Sequence, residues 1–149
     1  MKAGRGTRGF TLVELVMVLS VTAIVASIAV WRMTPAYERA HIRRTAATVA
    51  SDMQYAQMLA AQLRRPVVVI ISEPMRSYLI RDASGSTIFR ERYLGQDTEF
   101  DIDELEAPTS IEIFPTGVVR AASFLIVRRN GLNRHVRISR AGRVNVYAP

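Results

Sequence analysis

The stretch GTRGFTLVELVMVLSVTAIVASIAVW, residues 6–31, decides the fold. From Phe10 to Trp31 it runs for about 22 residues with no Pro, no Gly and a single charge, Glu14, which as a helix is long enough to cross the hydrocarbon core of a bilayer. A secretory signal peptide is the alternative, because Ala26, Ser27 and Ala29 imitate a small-residue cleavage site. Such apolar regions are only about 7–15 residues long, however, so a retained span fits the length better. Lys2, Arg5 and Arg8 precede the run and few charges directly follow it, which orients the N-terminus toward the cytoplasm and the rest of the chain outside the inner membrane. A carboxylate at membrane depth costs roughly 2.5–3.5 kcal/mol. Glu14 therefore needs a partner or a function, unless it lies near enough to the interface to stay wet.

Outward from this stretch, 149 residues with 49% hydrophobic content suffice for one compact domain beside the span, and not comfortably for two. There is no cysteine, which excludes disulfide staples and thiolate metal sites. The formal charge of +7 is unevenly spread. No acid follows Glu112, whereas Arg120, Arg128, Arg129, Arg134, Arg137, Arg140 and Arg143 do, so the C-terminal segment is a candidate basic surface.

Beyond the span, Ile42, Ala46, Val49, Met53, Ala56, Ala60 and Leu63 recur at three- and four-residue steps and predict a helical segment over about residues 36–64. Pro35 allows a kink or short break before it, and Pro66 ends it. The period then changes to that of strands, expected at 67–72, 77–82, 87–94, 110–115, 123–129, 134–139 and 143–148, with Gly85, Gly117, Gly131 and Gly142 at the turns. The predicted fold class is α+β, a long N-terminal hydrophobic helix followed by a C-terminal antiparallel β domain whose sheet packs on the outer part of that helix.

The basic leader, Gly9, Phe10, the run TLVE and the long apolar helix together resemble the class III signal of type IV prepilins and type II secretion pseudopilins. The layout of the rest, with IEIFPTG and RHVRISRAGRVNVY near its end, is similar to the GspH/FimT group of minor pseudopilins. The resemblance implies a leader at 1–9 removed between Gly9 and Phe10 by a prepilin peptidase, with N-methylation of the new Phe10 amine. It implies a transmembrane and assembly helix at 10–33, an amphipathic continuation at 34–65 and a β domain at 66–149. It gives Glu14 a partner, the Phe10 amine of a neighbouring subunit, and so a part in setting axial register. Pro35 lies later than the kinking proline of many major pilins, and no C-terminal disulfide is available, which favours a minor subunit. The expected function is a minor pseudopilin of a type II secretion system that helps export folded proteins. The alternative is a FimT-like minor pilin of a type IV pilus, in biogenesis or in DNA binding and uptake. The expected partners are other pilins or pseudopilins, the peptidase and the bacterial inner membrane, with the β domain in the periplasm.

No catalytic constellation stands out, and the expectation is a non-enzyme without cofactor or metal; a signal-anchored periplasmic enzyme is the more distant rival. His41 and His135 fall on different predicted elements without metal-ligand spacing. In DTEFDIDELE, residues 97–106, alternating acids imitate a calcium loop but lack its bending glycine, and a solvated strand edge accounts for them equally. DNA contact, if made, falls to Arg134, Arg137, Arg140 and Arg143, several of which are expected to share a face or rim, with Tyr147 the one nearby residue for base stacking.

Overall fold

The computed structural model describes residues 10–148. Gly9 and the leader expected at 1–9 lie outside them. The element order is α1 (Leu12–Leu63), β1 (Val67–Ser72), β2 (Ser77–Asp82), β3 (Ile88–Tyr93), β4 (Glu104–Glu106), β5 (Ser110–Ile113), β6 (Ser123–Arg129), β7 (Leu132–Ile138) and β8 (Val144–Tyr147). Helix α1 runs through Pro35 without interruption, so no break forms at that position. The chain divides into two compact units, Met1–Tyr37 and Glu38–Pro149.

In the first unit every described residue is exposed, including fifteen large hydrophobes from Phe10 to Met33. Its best window has a mean hydropathy of 2.4, and by length and composition the helix is able to cross a membrane. The hydroxyls within the apolar run are satisfied by the helix itself: Ser20, Thr22 and Ser27 donate to the carbonyls of Val16, Val18 and Ala23 at 2.8, 2.7 and 2.8 Å. A polar group in lipid has no water to turn to, so this back-bonding removes the cost of the hydroxyls in that surrounding.

In the second unit the strands form two four-stranded antiparallel sheets, ordered β3-β2-β1-β5 and β4-β6-β7-β8, rather than one. Consecutive strands β4 and β5 part company, with Ala107, Pro108 and Thr109 between them. The Glu73 carboxylate accepts from the Ala107 N–H at 2.9 Å, and Thr109 O accepts from Ile71 N–H at 2.9 Å, which steers the chain from the edge of one sheet to the edge of the other. Alternation along the strands sends Val67, Val69, Ile71, Ile80, Ile111 and Ile113 from the first sheet, and Leu105, Leu125, Val127, Val136 and Ile138 from the second, into one core with Ile42, Ala46, Val49, Met53, Ala56 and Ala60 of α1. The helical stripe read from the sequence is this buried face, except that Leu63 is only half-buried and Thr45, Ala50 and Asp52 join it.

Candidate functional site

The N-terminus of α1 is the first candidate. Thr11 and Glu14 form a capping box there: Glu14 N–H donates to Thr11 Oγ1 at 3.2 Å, and Thr11 N–H donates to Glu14 Oε2 at 3.4 Å. The spacing T-x-x-E is the sequence signal for this arrangement. Glu14 therefore has a local task, capping amides that the helix leaves unpaired, alongside any partner on another chain. Phe10, immediately before the helix, is 78% exposed.

The C-terminal arginines are the second. Of the seven that follow Glu112, three are neutralised: Arg120 by Glu112, Arg128 by Glu104 and Glu106 at 2.7 and 2.9 Å, and Arg129 by Glu38 and Asp101 at 3.2 and 3.1 Å. Arg134, Arg137, Arg140 and Arg143 form no ion pair among the described residues. They do not share one face. Arg134 lies opposite Val127 on the inner face of the second sheet, whereas Arg137 lies on its outer face opposite Phe124, with the guanidinium 5.4 Å from that ring's centre. Arg140 and Arg143 are exposed on the turn between β7 and β8. That turn is fixed from several sides: Arg143 N–H donates to Ser139 Oγ at 3.0 Å, Val119 N–H to Arg140 O at 2.9 Å, and Gln57 Nε2 to Gly142 O at 2.6 Å. Gly142, at φ +80°, approaches so closely that a Cβ there would stand 2.2 Å from Gly117 O. On the outer face, Tyr147 is not the sole aromatic neighbour. Phe124 shares that face, and the His135 ring lies 5.3 Å from the Tyr147 ring, centre to centre.

Four of the acids of residues 97–106 are drawn outward to three different partners. Asp101 goes to Arg129, Asp103 accepts from Asn130 N–H at 2.6 Å, and Glu104 and Glu106 go to Arg128 from a short strand that sequence periodicity did not disclose. Among the described residues no three His, Asp or Glu side chains converge as a metal site would require.

Sequence reasoning missed one cluster entirely. Asp52, on the buried face of α1, accepts from Tyr78 Oη at 2.5 Å and from Arg92 Nε at 2.7 Å, and is bonded by Arg90 as well. Register explains the convergence: Tyr78 pairs with Arg92 and Ile80 with Arg90, so both arginines point to the core side of edge strand β3. Arg90 lies over the Tyr55 ring at 4.1 Å. Burial first, then the hydrogen bond to Asp52 and its negative charge, push the Tyr78 phenol far above its ordinary range, so it stays a neutral donor. A signal existed in a lone acid between Val49 and Met53 on an apolar stripe, facing arginines two apart in a strand.

Comparison with known proteins bears on the two ends of the chain differently. The Prokaryotic N-terminal methylation motif matches residues 4–30. No curated protein matches. Among solved structures, the type IV minor pilin FimU of Pseudomonas aeruginosa (strain PAO1) is similar in two crystal forms. One has a TM-score of 0.62 at 19% identity over 75% of this chain and 95% of FimU; the other has 0.60 at 20% over 72% and 97%. At such identity the likeness is one of fold. The chain thus carries a prokaryotic N-terminal methylation motif over residues 4–30 and, behind it, an α+β fold like that of the type IV minor pilin FimU.

Proposed function

We propose that this chain is a minor subunit of a type IV pilin-like filament, processed between Gly9 and Phe10, held in the inner membrane by its apolar helix, and assembled with other such subunits while its β domain lies in the periplasm. The observation that carries the proposal is the coincidence of the methylation motif with an α-helix whose hydrophobes are all exposed from Phe10 to Met33. So large an apolar surface needs lipid or the like helices of neighbours to cover it. The chain works mechanically: the helix supplies contacts, Glu14 supplies register by pairing with a neighbour's Phe10 amine, and the β domain is displayed. The finer assignment is to a type II secretion pseudopilus, and the likeness to FimU supports the type IV pilus alternative.

Glu14 is the test, because its two tasks separate chemically. Glu14→Gln keeps the capping box, in which glutamine serves as well, but removes the charge that pairs with an amine. Glu14→Ala removes both. Filament incorporation, measured by shearing and immunodetection in the native bacterium, should be lost in both variants while membrane insertion and processing persist. Normal incorporation of Glu14→Gln would refute the ion-pair role. Whether loss of the gene abolishes export of folded proteins or abolishes pili separates the two systems.

A second reading, DNA binding, is favoured by one observation: the arginines without ion pairs in the C-terminal segment include Arg137, Arg140 and Arg143, all exposed, and the last two sit on a fixed turn. Phosphate contacts need cations that are not already neutralised.

A further inference from the structure

Four strands lie at sheet edges, β3, β5, β4 and β8, and three are guarded. Strand β3 carries Arg90, Glu91 and Arg92, two of them pointing inward, and has a register shift against β2 between Ile80 and Arg81. Strand β4 is three residues long and bears Glu104 and Glu106; β5 is met by the Ile113–Val119 bridge and by Arg120 reaching Glu112. These are the devices by which sheets avoid joining other chains. Strand β8, four residues long, has no charge, register shift or bridge to guard its outer edge. Its residues Val144, Asn145, Val146 and Tyr147 are uncharged, it pairs with β7 alone, and its other edge makes no backbone hydrogen bond among the described residues.

Beside this edge runs a cleft of about 440 Å³ lined by Arg43 and Ala47 of α1, Arg134 of β7, and Val146, Tyr147 and Ala148. Val146 lies on the inner face, where the core leaves it 39% exposed. Extending the β7–β8 register brings Ala148 opposite Arg134. Neither Arg43 nor Arg134 has an ion pair among the described residues, so the cleft presents two uncompensated guanidinium groups over an apolar floor.

The geometry points to a docking site for an extended, acidic segment of a neighbouring filament subunit, which adds to β8 as a further strand. Its backbone satisfies the open row of N–H and C=O groups, alternate apolar side chains cover Val146 and Ala47, and a carboxylate bridges Arg43 and Arg134. A peptide fits better than a nucleic acid, because a nucleic acid offers the arginines phosphate but cannot continue a strand ladder. This site rests on the filament reading above and goes beyond it in naming the surface and the chemistry of the partner.

The test uses the full chain in its native bacterium, with p-benzoylphenylalanine placed at position 146, and separately at position 17 in the apolar run as a reference for assembly. Mass spectrometry identifies the cross-linked peptide. The expected product at position 146 is an Asp- or Glu-bearing segment of another protein with a methylation motif of its own. Its yield should fall by about tenfold or more in the double variant Arg43→Glu with Arg134→Glu, as loss and reversal of a desolvated charge pair requires. Arg137→Glu, on the opposite face of the same strand, should leave the yield unchanged. Cross-links to other subunits from position 17 but none from position 146 would overturn the docking site and leave assembly standing. Absence of both would overturn the filament reading together with the site. Cross-links from position 146 to DNA, or a yield indifferent to the Arg43 and Arg134 changes, would likewise overturn it.

Discussion

Asp52→Ala should be among the most damaging single changes in the β-bearing unit. Asp52 retains 2% of its side-chain exposure and holds Arg90, Arg92 and the Tyr78 hydroxyl. Removing one member of a buried ion pair costs about 3–5 kcal/mol, because the charges left behind are uncompensated. Here Arg90 and Arg92 keep 35% and 24% of their side-chain surface in water, so solvent recovers part of that cost and roughly 2–4 kcal/mol remains. For a unit of this size the melting temperature should fall by roughly 10–15 °C. Tyr78→Phe, which leaves both arginines bound, should cost about 1 kcal/mol, and less again when Asp52 is already alanine. The phenol adds a pH signature. Because its folded pKa is raised, its contribution is complete below about pH 10, and above that the unfolded chain releases a proton that the folded chain keeps, so stability falls as pH rises. Tyr78→Phe should lessen that alkaline decline. Near-ultraviolet circular dichroism melts of the full chain in detergent micelles, from pH 7 to 11, read both effects. A melting temperature for Asp52→Ala within about 3 °C of the parent would refute the reasoning.

Three further outcomes follow from the same structure. Gly142→Ala should lower the melting temperature and loosen the Arg140–Arg143 turn, since a Cβ at φ +80° meets a backbone oxygen at 2.2 Å; an unchanged melt would show that the Gly117 loop yields freely. Residues 36–149 expressed without the apolar run should be soluble and melt cooperatively, because every buried hydrophobe among the described residues lies between Ile42 and Ile138; an aggregating or unfolded product would contradict this. If the C-terminal segment binds DNA, Arg140→Ala with Arg143→Ala should weaken binding to all sequences alike and lower the salt slope by about two phosphate contacts' worth, as gel shifts across a salt series would show. A slope unaltered by the double change would remove that turn from any DNA interface.

How far the sequence disclosed this protein depended on whether a feature was written in one local period. The long apolar helix, the helical stripe and seven of the strands were legible because helices and strands impose steps of three to four, or of two, on contiguous residues. The capping task of Glu14 was also written locally, as T-x-x-E, but is overshadowed by the conspicuousness of an acid in an apolar run. Strand β4 was hidden because three residues with a single buried Leu105 carry too little alternation to stand out from an acidic segment. The division into two sheets, the meeting of Asp52 with arginines about 40 positions away, and the split of the four C-terminal arginines between opposite faces and a turn all depend on strand register, which no single segment encodes. The arginines show the point most plainly: composition marked the basic tail, but only the positions of Glu38, Asp101, Glu104, Glu106 and Glu112 decide which of its charges are free.

The central claim is that the apolar helix is a processed and retained assembly element, and intact-mass measurement of the protein extracted from membranes tests it most directly. The account predicts a chain beginning at Phe10, with residues 1–9 gone and one methyl group on the new amine. A chain beginning after Ala29, as a secretory signal peptide would leave it, or one still carrying Met1 to Gly9 in cells with an active prepilin peptidase, would contradict the account.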